Sequence, residues 1–225
     1  MDSFWGVTLV LLVVLTFLVA IVYRAMVYFG KHKDTDHEKV ALSEVLPTLK
    51  SGDMVLFIAH THGFTNSIFT GDLYSHSGMV VRDPEGGLRL SEATSSGSSE
   101  DPLIPRLQNY RGMLFLMQLD RPLTAEQQRT LQEKASMRTP YPNLVQLVRS
   151  WAGLKPSARH CMQHVAWLVD EIQLTPEALL QEGVRMSDTG VIRTSREVTA
   201  LSGKKLNGGN AYGPIRQLVC DVGLK

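Results

Sequence analysis

The chain has 225 residues, enough for one ordinary domain with additions or for two small ones, and enough to bury a sizeable core. Its 23 basic and 22 acidic side chains nearly cancel to a formal +1, which argues against a nucleic-acid partner, since such proteins usually carry a clustered basic surface. Two cysteines, Cys161 and Cys220, cannot build a disulfide framework, match no zinc-finger or zinc-ribbon spacing, and suit a reducing compartment where a free thiol persists.

At the N-terminus, SFWGVTLVLLVVLTFLVAIVY (Ser3 to Tyr23) runs 21 residues without a charge, close to the ~20 that cross a bilayer core. Trp5 at one end and Tyr23 and Tyr28 at the other suit interfacial anchoring. A cleaved signal peptide would want a basic leader, a shorter apolar core and a small-residue cleavage site. Here Asp2 precedes a long core and no such site follows. Arg24, Lys31 and Lys33 all follow the span, so the positive-inside rule puts the rest of the chain on the cytoplasmic face. The expectation is a single-pass membrane protein: residues 1–30 a transmembrane anchor, 31–44 a juxtamembrane tether, and 45–225 the working domain.

Within that domain, LSEVLPTLK reads as a short helix ending near Pro47, and SGDMVLFIAH as a Gly-Asp turn feeding a buried strand from Met54 to Ala59. THGFTNSIFTGDLY is a loop with one short helix. SHSGMVVR and LRLSEA are strands joined by DPEGG, the strongest hairpin signal in the chain. SSGSSEDP reads as a loop and GMLFLMQLD as another apolar strand. The second half turns helical. TAEQQRTLQEKASM opens on a capping box, Thr124 with Gln127. NLVQLVRSWAGL puts Leu144, Leu147, Val148 and Trp151 on one helical face. RHCMQHVAWLVDE is a third helix and TPEALLQEG a fourth, before a Gly/Asn loop and IRQLVCDVGL. Strands mostly precede helices, an α+β arrangement.

Cys161 stands at or near the start of the third helix, after a Pro and a candidate Ser cap. Backbone N–H groups and the positive end of the helix dipole stabilise an anion there and lower a thiol pKa. A buried inert cysteine would occupy the same position equally well. Zinc is a third reading: His160 and His164 stand four apart beside Cys161, and His60 or His62 could complete a site, although His160 and Cys161 project ~100° apart on a helix. A thiol nucleophile needs an imidazole, and the imidazole an orienting acceptor. His76 opens a strand among Ser75, Ser77 and Gly78. With Pro84 at the turn centre His76 falls opposite Glu92, close enough for a carboxylate–imidazole contact.

SGDMVLF, YSHSGMVV, SEA, TPYPN and a Cys heading an apolar helix, in that order, resemble the circularly permuted papain-like amidases, relatives of NlpC-type cell-wall hydrolases and of lecithin:retinol acyltransferase. The resemblance covers about residues 50 to 170. It implies a small antiparallel sheet packed against helices, with Cys161 as nucleophile, His76 as general base and Glu92 as its orienting group. It also places Tyr141 in a turn that shapes the substrate groove, while His160, expected to bind substrate, stands where relatives commonly carry Asn or Tyr. Met162-Gln163 stands where many relatives carry Ser-Glu, so the neighbouring subsites differ. The expected function is a membrane-anchored cysteine hydrolase or acyltransferase. It would act on an amide, ester or thioester of a peptide or acyl-lipid, and require no metal or organic cofactor. The alternatives are a non-catalytic membrane adaptor that keeps the fold, and a zinc module built on His160, Cys161 and His164.

Overall fold

The computed structural model describes residues 37–59, 72–154 and 158–221, together with isolated positions between 8 and 23. In chain order the elements are β1 (Lys39–Ala41), α1 (Leu42–Val45) running into a 3-10 turn, β2 (Met54–Ala59), β3 (His76–Arg82), β4 (Leu88–Thr94) and β5 (Gly97–Pro102). There follow α2 (Leu103–Gln108), β6 (Gly112–Met117), α3 (Ala125–Ala135), α4 (Leu144–Trp151) and α5 (Cys161–Glu171). Then come α6 (Glu177–Gln181), α7 (Val191–Thr199) and β7 (Arg216–Val219).

The strands form one seven-stranded sheet in the order β1-β7-β6-β2-β3-β4-β5. MVLFIA sits at its centre between β3 and β6, and an unbroken apolar run belongs there because both faces of the strand are covered. Met54, Leu56 and Ile58 join the core beneath the long helices, while Val55 and Phe57 join a second core under α1 and α2. The β3–β4 hairpin turns through DPEGG. There Gly86 adopts φ +88°, the Gly86 N–H donates to the Asp83 carbonyl at 3.0 Å, and the Asp83 carboxylate accepts the Gly87 N–H. Ahead of β2, the Asp53 carboxylate accepts the backbone N–H groups of Lys50 and Leu119, fixing the Gly52-Asp53 turn.

α5 is the central helix. From Cys161 to Val169 every residue is buried, so the helix is enclosed on all sides and is mainly apolar, with Gln163 and His164 as its buried polar members. It lies on β3 and β4 and is flanked by α3 and α7.

Two parts of the expected architecture are corrected. The α+β permuted papain-like plan, with its small antiparallel sheet, gives way to a larger mixed one: β1 and β7 pair in parallel, and β7 enters the sheet after every helix. The polar GSSEDP, read as loop, is strand β5, paired with β4 along its whole length; lacking alternation, it carries no periodic signal. The second correction concerns the membrane. Spanning needs about 20 continuous apolar helical residues, and no helix among the described residues is long and apolar enough to cross a bilayer. Most of the segment from 3 to 23 lies outside the described residues, and the scattered positions inside it make no span. The single-pass anchor, the membrane as partner and the cytoplasmic-face placement that followed from them are withdrawn. Residues 31–36 also lie outside the described set. The rest of the segment read as a tether supplies β1 and most of α1.

Where β6 begins, Gly112 leaves no room for a side chain: a Cβ there would meet the Ile58 carbonyl oxygen and the Tyr110 ring. Gly112→Ala should therefore destabilise the fold by about 1–3 kcal/mol, measured as a lowered urea midpoint with an unchanged slope.

Candidate active site

Cys161 is the first residue of α5, and its helix is capped by its neighbour. His160 takes an extended conformation (φ −78°, ψ 176°), and its Nδ1 accepts the Met162 N–H at 3.0 Å. The candidate cap Ser157 lies outside the described residues. With Nδ1 accepting from the helix end, His160 has Nε2 as its N–H, which is buried and has no hydrogen-bond partner among the described residues. Although Nδ1 stands 3.9 Å from the Cys161 sulfur, it is poorly placed to act as the thiol's base. The sulfur itself is 4.0 Å from the Ser75 carbonyl, immediately before β3.

His76 opens β3 on the far side of that carbonyl. Its Nε2 donates to Glu92 Oε2 at 2.5 Å, which leaves Nδ1 for the thiol. The register differs from the expected one by two residues: Glu92 faces Gly78, not His76, because the turn centres on Glu85. An offset of two keeps the side chains on one face, and the contact becomes a diagonal one past Gly78, over which the Leu90 side chain packs.

The structure adds a residue that sequence reasoning missed. Arg106, on α2, grips Glu92 in a fork: Nε donates to Oε1 at 2.5 Å and an Nη to Oε2 at 3.0 Å. Its guanidinium lies 5.4 Å from the Phe57 ring centroid and 5.5 Å from that of Tyr110. Phe57 also stacks obliquely on the His76 ring at 5.1 Å. In the sequence, LIPRLQNY follows an unpatterned polar strand, and nothing local marks Arg106 or Tyr110. Only the β4–β5–α2 path brings them to the site.

The electrostatics follow from these contacts. Burial pushes the Cys161 thiol up, but the charge of His76, then His160 and the hydrogen-bonding contact with His76, outweigh it and hold the thiol at about 5. Burial pushes His76 down, yet Cys161 and Glu92 raise it to about 9. Burial would raise the Glu92 carboxyl, while the bonds from His76 and Arg106 bring it down to about 2. The thiol and imidazole form a coupled pair, resting as thiolate and imidazolium. Cys220 behaves in the opposite way: half-buried, with its sulfur 3.7 Å from the Leu107 carbonyl, it is pushed up by burial and by Asp221.

Cys161, His76, His160, Arg106, Tyr110 and Tyr141 line one cleft of about 490 Å³, together with the small Ala59 and Ala93 and the apolar Leu147 and Val191. Tyr141 thus stands in the groove, where burial and the thiolate raise its phenol. His164 does not join it. Its Nε2 bonds Ser91 Oγ at 2.9 Å, and burial, then Arg159 and His76, hold it near 4 and so neutral. His160, bonded to the helix end, and His164, bonded to β4, therefore serve different partners. Among the described residues no three His, Cys, Asp or Glu side chains are grouped to hold a metal ion, and His60 and His62 lie outside them.

No protein-family model matches the chain, and no curated protein matches it significantly. Among solved structures it is similar to metalloprotein yiiX from Escherichia coli O157:H7, of DUF1105. Identity is 16%, coverage is 77% of this chain and 98% of that one, and the TM-score is 0.44. That protein is described as a metalloprotein and not as a papain-like hydrolase, and a likeness at this level carries no argument about fold or chemistry.

Limited iodoacetamide treatment followed by peptide mapping should modify Cys161 before Cys220. Because the thiolate is the reacting form, the Cys161 rate should rise through a midpoint near 5 rather than the free-thiol value of ~8.5. Faster modification of Cys220, or a Cys161 midpoint at the free-thiol value, would contradict the assignment.

Proposed function

We propose that this protein is a cysteine hydrolase or acyltransferase that cleaves or transfers an acyl group at an amide, ester or thioester bond. The observation that carries the reading is that Cys161 and His76 line one cleft, with His76 bonded from behind to Glu92, the thiol held low and the imidazole high.

In this mechanism the resting thiolate attacks the carbonyl carbon and the carbonyl π electrons move onto oxygen. The start of α5 receives that oxyanion: because the Met162 N–H is taken by His160, the Cys161 N–H is assigned as its donor. Collapse of the adduct expels the amine, alcohol or thiol, which takes the proton from His76 Nδ1 as it leaves. His76, again neutral, then deprotonates water or an acceptor nucleophile, which attacks the thioester. Cys161 leaves as thiolate and His76 keeps the proton, restoring the starting pair. Glu92 stays ionised throughout and holds the imidazole by Nε2.

A full-length sample assayed on a panel of acyl esters, thioesters and amides should form an acyl adduct on Cys161, visible by intact-mass spectrometry. Cys161→Ala should abolish the adduct and turnover. His76→Ala should lower turnover by about 10²–10⁴-fold, and Glu92→Gln by less, since the amide oxygen still accepts from Nε2. Turnover indifferent to Cys161→Ala would exclude the mechanism. A labelled thiol with no turnover on any substrate would leave a non-catalytic adaptor.

The pH profile has a definite sign. Below about 5 the thiol regains its proton, and above about 9 the imidazolium that protonates the leaving group is lost. Acylation should therefore follow a bell between these limits.

A further inference from the structure

We infer that Arg106 is the positioning residue of this site: it locks the Glu92 carboxylate in the one orientation that serves His76. The inference deepens the cysteine-chemistry reading above and rests on it.

Strand pairing alone does not aim Glu92 at the imidazole. Glu92 lies opposite Gly78, two residues from His76, and the space over Gly78 is taken by the apolar Leu90, which offers the carboxylate no hydrogen-bond partner. The aim comes from the fork. Glu92 Oε1 accepts Arg106 Nε, while Oε2 accepts both an Arg106 Nη and His76 Nε2, so rotating the carboxylate breaks all three bonds together. The guanidinium is fixed in turn: α2 starts where β5 ends, and the Phe57 and Tyr110 rings flank its plane. The site is buried among Val55, Phe57, Val80 and Leu90, where a loosely held carboxylate would be costly.

A plain charge-balancing role makes a different prediction. The other titratable groups facing this cluster are Cys161, His160 and His164 from α5, Asp101 from β5, and Tyr110 and Tyr141 from the loops before β6 and α4. Of these, Tyr110 feels the Arg106 charge directly, and Cys161 responds to Arg106 through His76. By field alone, removing a positive charge beside His76 raises its pKa. By positioning, removal lowers it, because Nε2 loses its aligned acceptor. Lysine separates the two cleanly: it keeps the charge and lacks the planar fork.

The experiment is an NMR titration of the His76 ring in the full chain for wild type, Arg106→Met, Arg106→Lys and Glu92→Gln. It is paired with the pH profile of Cys161 alkylation by iodoacetamide. In both Arg106 variants the His76 midpoint should fall by about one unit, a tenfold change, and the Cys161 midpoint should rise. In a Glu92→Gln background, Arg106→Lys should add nothing further. A rise of the His76 midpoint in Arg106→Met, or wild-type titration in Arg106→Lys, overturns the inference. If Arg106→Met fails to fold, Arg106→Lys, which retains the buried charge, decides alone. Neither readout needs turnover. An inactive wild type with the predicted shifts would refute the hydrolase reading and leave the positioning role standing, and an active enzyme without them the reverse.

Discussion

Everything at the site depends on one docking event: the burial of α5 across β3 and β4. Apolar burial drives it, but burial is non-directional, and an apolar helix could slide or roll on an apolar sheet. A slip of one residue would turn Cys161 by about 100° and move it by about 1.5 Å. Polar pins forbid this. His164 Nε2 meets Ser91 Oγ at 2.9 Å on β4, and the Gln163 amide donates to Ser150 Oγ at 3.1 Å and to the Thr189 carbonyl at 3.3 Å. With the helix held at those points, its first residue arrives beside the Ser75 carbonyl, where His76 begins its strand.

The second constraint is charge. Arg106, Glu92, His76 and Cys161 form a series of alternating sign in a largely buried region, where each charge favours the next. The low thiol and the high imidazole are thus one property of the series. The three side-chain elements come from distant parts of the chain: α2, the β3–β4 hairpin and α5. Their meeting point lies at the end of β3, where the hairpin core gives way to the cleft.

Much of the local structure was legible because it is written in short-range rules. The central strand from Met54 to Ala59 follows from an apolar run, the hairpin from DPEGG, and α3 from a capping box that is present in full, Thr124 with Gln127. The relation of His76 to Glu92 was legible as a shared face but not as a register, since the turn centre moved by one residue and the pairing by two. The rest was written only in three dimensions. β5 is polar and β1 and β7 are short, so their pairing partners supply the signal that their sequences lack. Arg106 looks like any helical arginine until α2 folds back on β4. The apolar stretch at the N-terminus misled in the other direction. Composition said membrane span, whereas the described residues contain no helix that could form one.

Three histidines around one cysteine show how little residue type decides. His160 spends its Nδ1 on a helix end, so its role follows from the Met162 N–H that it accepts. His164, bonded to Ser91 and beside Trp167, stays neutral, near 4, because burial and the cations Arg159 and His76 outweigh the pull of Glu92. His76 is partly buried, and desolvation alone would push it the same way. It goes instead to about 9 because a carboxylate and a thiol sit on its two sides. Desolvation is therefore common to His76 and His164, and the sign of the neighbouring charge separates a core histidine from a base. The same comparison explains the two cysteines. Both pay for burial, and only Cys161 has a cation at hand to reverse it. The thiol that heads the helix is distinguished less by the helix than by what β3 brings to it.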